Sequence, residues 1–353
     1  MHGILFASVF PIPGRNIHSL HFGVHTRMNK FIFSAIAIAA ASSTGYAAGS
    51  DWLQLDQDIA SLSSTINSSE GANVGGLLRT SYRDGDTVGG FFHDDADLWF
   101  GGALEEFTWR VSFDLGTGGL VLQDAYVTWS CTEEVNVTWG RFLAPVLRSN
   151  VLDPENMLFI DRSMLGMAFY NWDSGVSVNG DYNGFGYFIS AQNGTDGTGD
   201  DLNFVAHVGY DIGNGVSMQD GAMKSGDELD GSFGVSYTDM ENDGMDAVLA
   251  LDFAMTMGQL SGSVEYADGS DNDVAAGLGQ TPWDLTLGYL FADNMEVAYR
   301  YEKTDNAVDD KINTIGLNWY LHGHNAKWQF NYIDDDSMPD QVIAVGLTVG
   351  ASR

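Results

Sequence analysis

The chain has 353 residues, with 15 Lys and Arg against 48 Asp and Glu, a formal net charge of −33, and one cysteine, Cys131. That balance excludes binding of nucleic acid through its phosphates, which needs basic surface, and a lone cysteine excludes an internal disulfide. Its 43 glycines, six prolines and 12% aromatic residues suit short strands joined by turns.

Met28-Asn29-Lys30 forms a short basic head. Phe31–Ala41 is an apolar run too short to span a membrane, and Gly45-Tyr46-Ala47-Ala48 offers a small-residue cleavage site. Residues 28–48 therefore read as a secretory signal peptide, and residues 1–27 as an upstream extension before a start at Met28. With the signal removed, 12 basic residues face all 48 acids, a net charge of 12 − 48 = −36. Over 49–72, Leu55, Ile59, Leu62 and Ile66 line one face of a short helix, suited to a coiled coil or to packing against the strands downstream. After the signal, no segment reaches eighteen consecutive apolar residues, so no helical span is expected.

From residue 73 to 353 the pattern is alternation. Phe107, Trp109, Val111 and Phe113 interleave with Thr108, Arg110, Ser112 and Asp114, and Leu285, Leu287 and Tyr289 behave alike. Sixteen such segments predict sixteen strands, beginning with Val74–Arg83 and Asp97–Gly102 and ending with Ile343–Val349. Tight turns such as Asp181-Tyr182-Asn183-Gly184 and Ala292-Asp293-Asn294 alternate with longer polar loops at 193–202, 267–282, 303–311 and 334–340. Segment 211–230 is long where a short turn is due, and reads as an insertion. From Val135 to Gly166 a strand gives way to a long stretch with Pro145, Pro154 and irregular apolar residues, a loop with the composition to pack inside the fold.

Within these strand spans no Asp, Glu, Lys or Arg falls on the apolar parity. A basic residue facing lipid costs roughly 2–4 kcal/mol at mid-membrane, which explains the exclusion. Aromatics at strand ends (Tyr210, Tyr237, Tyr289, Tyr332) fit girdles at the two lipid boundaries. The expected fold is all-β, a sixteen-stranded antiparallel transmembrane barrel with a short N-terminal helix.

Particular stretches bear a family likeness: Leu122-Gln123-Asp124-Ala125-Tyr126-Val127, Trp139-Gly140-Arg141-Phe142, Leu158-Phe159-Ile160-Asp161-Arg162-Ser163, and Ile315-Gly316-Leu317-Asn318-Trp319. Over roughly 74–349 the chain resembles the phosphate-selective porin O and P family of bacterial outer membranes. The resemblance implies a sixteen-stranded barrel, a homotrimer, and a third long loop folded into the pore, here Leu143–Trp172.

On that reading Arg148, Asp153, Glu155, Asp161 and Arg162 belong to the constricting loop. Arg79, Arg110, Asp124, Asp252, Glu265, Glu296, Arg300 and Lys327 lie on the lumen parity. The loop charges either set a field across the constriction or form ion pairs that fix the loop to the wall. With Asp246, Asp284 and Glu302 also on that parity, acids outnumber bases on the lumen face, which predicts a passive diffusion channel with cation preference; the alternatives are an anion- or phosphate-selective porin, or a plugged structural anchor. The expected partners are outer-membrane lipid and lipopolysaccharide, further copies of the chain, and small ions and solutes. No cofactor or metal set is expected: Asp268, Asp271 and Asp273 do not match an EF-hand, and His322 and His324 alone are weak evidence for zinc. No G-x-S-x-G, Walker A or H-E-x-x-H motif marks an enzyme.

Overall fold

Side chains on a strand point alternately to opposite faces, and each of the sixteen alternating segments is a strand. The computed structural model describes residues 72–350, apart from 117–118, 195–201, 241–244, 271 and 309. The upstream extension, the signal segment and the helix expected over 49–72 fall outside the described residues, save Ala72, which starts the first strand.

The strands are β1 (Ala72–Asp84), β2 (Gly89–Leu104), β3 (Phe107–Asp114), β4 (Val121–Ser130), β5 (Asn136–Leu143), β6 (Trp172–Tyr182), β7 (Phe185–Gln192) and β8 (Asn203–Ile212). They continue with β9 (Asp230–Met240), β10 (Met245–Met257), β11 (Leu260–Asp268), β12 (Trp283–Ala292), β13 (Met295–Lys303), β14 (Lys311–Tyr320), β15 (Ala326–Asp335) and β16 (Val342–Gly350). Each pairs antiparallel with its sequence neighbours, and β1 pairs with β16, closing the barrel. Closure leaves no strand edge unpaired, the condition for crossing a membrane with strands.

The register shifts at four places among the described strands, between Arg79 and Thr80, Val111 and Phe113, Met245 and Val248, and Leu290 and Ala292, and the first two bear on the site. In β2, Arg79 faces Asp95 while Thr80 faces His93, so Asp94 is an extra residue. This is why β2 starts at Gly89 rather than Asp97: consecutive acids and Phe91-Phe92 conceal the strand. In β4, Val111 faces Ala125 while Phe113 faces Leu122, which turns both Gln123 and Asp124 into the buried interior.

The outer face is apolar, with Leu249, Leu287, Ile315, Phe330 and Ile343 exposed. The exclusion of charge from this face needs one correction. Strand β5 continues past Trp139 to Leu143, which puts Arg141 on the outer parity, where its Nε donates to the Leu122 carbonyl at 3.1 Å. Where strands outrun the sequence-derived spans, Asp84, Asp239, Asp268, Lys303, Lys311 and Asp334 also take the outer parity, at the loop end. A charge near the interface costs only about 0–1 kcal/mol.

At one end the strands are joined by tight turns such as Glu105-Glu106, 183–184 and 258–259; at the other by longer loops. The connection from β5 to β6 carries α1 (Arg148–Val151), a 3-10 turn (Pro154–Asn156) and α2 (Met164–Ala168). The fold's main apolar cluster lies where this loop meets the inner wall: Ala144, Val146, Leu147, Leu165 and Phe169 pack with Val205, Val248, Ala250, Ala267, Val274 and Leu278.

Candidate functional site

The β5–β6 loop is seated inside the barrel by shape. Leu158, Phe159 and Ile160 each rest over an inward glycine of an alternate strand. A Cβ on Gly288 (β12) would come within 3.2 Å of Leu158, on Gly316 (β14) within 3.0 Å of Phe159, and on Gly346 (β16) within 2.9 Å of Ile160. The wall is notched where the loop presents three bulky side chains in succession.

Polar groups fasten the same stretch. Arg83 grips both carboxylate oxygens of Asp161 at 2.8 Å, a bidentate pairing suited to a guanidinium. Arg79 donates to the Ile160 carbonyl and to Asp95 at 2.6 Å. Asn331 accepts from Ile160 N at 2.8 Å, Arg300 donates to the Asp161 carbonyl at 2.9 Å, and its guanidinium lies 4.7 Å from the centre of the Phe159 ring. Lys327 and Gln329 both donate to the Met157 carbonyl. Within the loop, fully buried Asn150 accepts from Val146 N and Leu147 N and donates to the Ala144 and Phe169 carbonyls. Arg162 donates to the Ser149 and Leu152 carbonyls and stacks 4.1 Å from Tyr170.

Beneath the loop, Asp252, Glu265, Asp284 and Glu302 face one another in register across β10, β11, β12 and β13. Like charges directly opposite on a sheet are destabilising, and the loop offsets them. Ser149 gives its N–H (2.7 Å) and its hydroxyl to Glu265, and Met164 N donates to Glu302 at 2.6 Å. These N–H groups come from the first turns of α1 and α2, where they lack intrahelical partners. Arg300 adds an ion pair to Glu302 at 2.8 Å. One oxygen each of Asp252 and Asp284 is buried with no hydrogen-bond partner among the described residues.

The opposite flank of the loop faces a gap. Asp153, Pro154, Glu155 and Tyr170 face Asp97, Trp99, Arg110 and Gln123 of the β1–β4 wall across a cavity of about 20 Å³, room for roughly one water molecule. Arg110 stacks 4.9 Å from the Trp99 ring and pairs with Asp124 at 2.8 Å. Asp124 also accepts from Ser112 Oγ and from Trp172 Nε1 at 2.9 Å, tying the wall to the loop's exit.

The residues expected on the lumen parity differ in exposure. Glu265, Glu296 and Lys327 are at most 2% exposed beneath the loop and the β8–β9 connection. Arg79, Asp124, Asp252 and Arg300 are buried as well, and of the expected set Arg110 (13%) stays partly open. Of the loop residues, Asp153 and Glu155 line the gap, Asp161 pairs with the wall through Arg83, and Arg148 and Arg162 bond backbone carbonyls. Asp161 and Arg162 do not pair with each other. Sequence reasoning passed over Arg83, Asp94, Asp95 and Asn331; the doublet Asp94-Asp95 was the available signal, since it breaks the alternation of β2.

A family model described as phosphate-selective porin O and P matches residues 95–342. No curated protein sequence matches the chain. Solved structures share the fold at low identity. A mutant of the Rh. blastica porin aligns at 14% identity with a TM-score of 0.57, covering 79% of this chain and 100% of that one. An anion-selective porin from Comamonas acidovorans aligns at 16% and 0.55, covering 79% and 99%. A loop-deletion mutant of OmpT, an outer membrane protein of Vibrio cholerae, aligns at 12% and 0.55, covering 80% and 100%.

Proposed function

The chain belongs to the phosphate-selective porin O and P family, and from that premise we propose that it is a cation-preferring diffusion porin whose narrowest point is the gap between Asp153–Glu155 and the Arg110 wall. Family and barrel together point to a channel of the bacterial outer membrane rather than to an enzyme.

One observation carries the selectivity. The basic groups named inside the barrel are occupied: Arg79, Arg83, Arg110 and Arg300 by carboxylates, and Arg148, Arg162 and Lys327 by backbone carbonyls. Among the charged groups that line the gap, the acids Asp97, Asp153 and Glu155 outnumber the one base, Arg110. A lumen with a surplus of one sign concentrates the opposite ion. Purified protein is expected to insert into planar bilayers in discrete conductance steps, and a shift of reversal potential under a salt gradient reads the preference.

A second reading is favoured by the family description and by the anion-selective relative from Comamonas acidovorans: selectivity for anions or phosphate. It requires arginines free to meet the permeating ion, and the pairings above argue against it. We also propose that three copies associate in outer-membrane lipid and lipopolysaccharide; native mass spectrometry showing only single copies would remove that part.

A further inference from the structure

The connection from β8 to β9, residues 213–229, lies at the end where other strands are joined by tight turns, and it runs into the barrel instead. It meets the inward loop directly. Arg148 donates to the carbonyls of Val216, Ser217 and Gln219, the last at 2.9 Å. Asp220 N donates to the Asn156 carbonyl at 2.9 Å, and Leu158 N donates to Asp220 Oδ2 at 3.4 Å. On its other side Ala222 N donates to Glu296 Oε1 at 2.8 Å, while Glu296 Oε2 accepts from Tyr320 OH at 2.7 Å. Gly221 makes this approach possible: its φ is +86°, and an added Cβ would lie 2.5 Å from Glu296 Oε2, a conformation and a clearance that suit glycine.

The segment thus grips the turn 154–156, the same turn that lines the gap facing Arg110. We propose that residues 213–229 are a second jaw of the constriction, entering from the turn end, and that Arg148 and Asp220 are positioning residues that set the gap's width through Asn156. Loop 144–171 alone does not determine it. The proposal rests on the channel reading, but its contacts can be tested apart from conduction.

The test compares the full-length protein with Arg148→Ala, Asp220→Asn and Gly221→Val in planar bilayers, and follows hydrogen exchange of peptides covering 153–159. Gly221→Val is expected to raise single-channel conductance about twofold and add open-channel noise. Exchange at 156–158 should quicken by about tenfold, the scale of one lost hydrogen bond. Asp220→Asn, which keeps the bond from its backbone N–H to Asn156, should do less than Gly221→Val. Should Gly221→Val fail to form a heat-modifiable barrel, Arg148→Ala carries the same expectation. Unchanged conductance together with unchanged exchange in a folded variant would overturn the proposal. A non-conducting wild type would count against the channel reading alone, and loop exchange would then decide the jaw: faster exchange in the variants supports it, unchanged exchange overturns it.

Discussion

Phe159 stands on Gly316: a Cβ at that position would come within 3.0 Å of the ring, and Arg300 lies over the same ring at 4.7 Å. The loop is therefore held by a fitted notch with a cation above it, flanked by two similar notches at Gly288 and Gly346.

Gly316→Val is expected to lift the loop. Added methyls in a filled site cost about 1–3 kcal/mol, and here the loop can yield more readily than the barrel wall. The barrel's heat-modifiable migration should hold, while conductance rises and proteolysis within 153–163 quickens.

Asp161→Asn removes the grip of Arg83. Asp161 is 42% exposed, and exposed ion pairs contribute roughly 0–1 kcal/mol, so thermal stability should barely move. Single-channel noise should increase, because the pair orients the loop more than it stabilises the fold.

Asp124→Asn leaves Arg110 without its counter-ion beside the gap. The cation-to-anion permeability ratio should fall severalfold, whereas Arg110→Ser should raise it. Asp124 also accepts from Ser112 and Trp172, so a stability loss of about 1–3 kcal/mol should accompany the first change, measurable as a shift in the denaturant midpoint.

Asp305 offers a pH test outside the membrane. Hydrogen bonds from the Thr281 hydroxyl at 2.7 Å and backbone N–H at 2.9 Å, with Lys303 beside it, hold its carboxyl below the usual carboxylate range. A depressed folded pKa gives stability that is present above the unfolded value and lost as pH falls through the folded one. Acidification should therefore loosen the contact between loops 269–282 and 304–310, and Thr281→Ala should bring the Asp305 titration upward by NMR.

The barrel was legible because lipid outside and water inside impose a period of two on each strand, and Leu249-Ala250-Leu251-Asp252 carries both faces in four residues. Bulges were not, since at Asp94 and Gln123 the extra residue breaks the only signal available. The loop was visible as a loop, and its Leu158–Ser163 stretch as a family feature. Its seat was hidden: Gly288, Gly316 and Gly346 become a set only when β12 to β16 stand in order around the barrel and bring these alternate strands' inward glycines into one row. Parity put Lys327 and Arg110 on the same face, yet only the path of the loop separates a buried fastener from a residue beside the gap.

The most direct test of a cation-preferring lumen is the reversal potential of the wild-type protein in a planar bilayer under a tenfold KCl gradient. The excess of carboxylates over the one guanidinium among the charged groups lining the gap predicts a potential of the sign set by K⁺ crossing faster than Cl⁻, weakening as salt screens the charge. A potential of the opposite sign, with Cl⁻ faster, would contradict it.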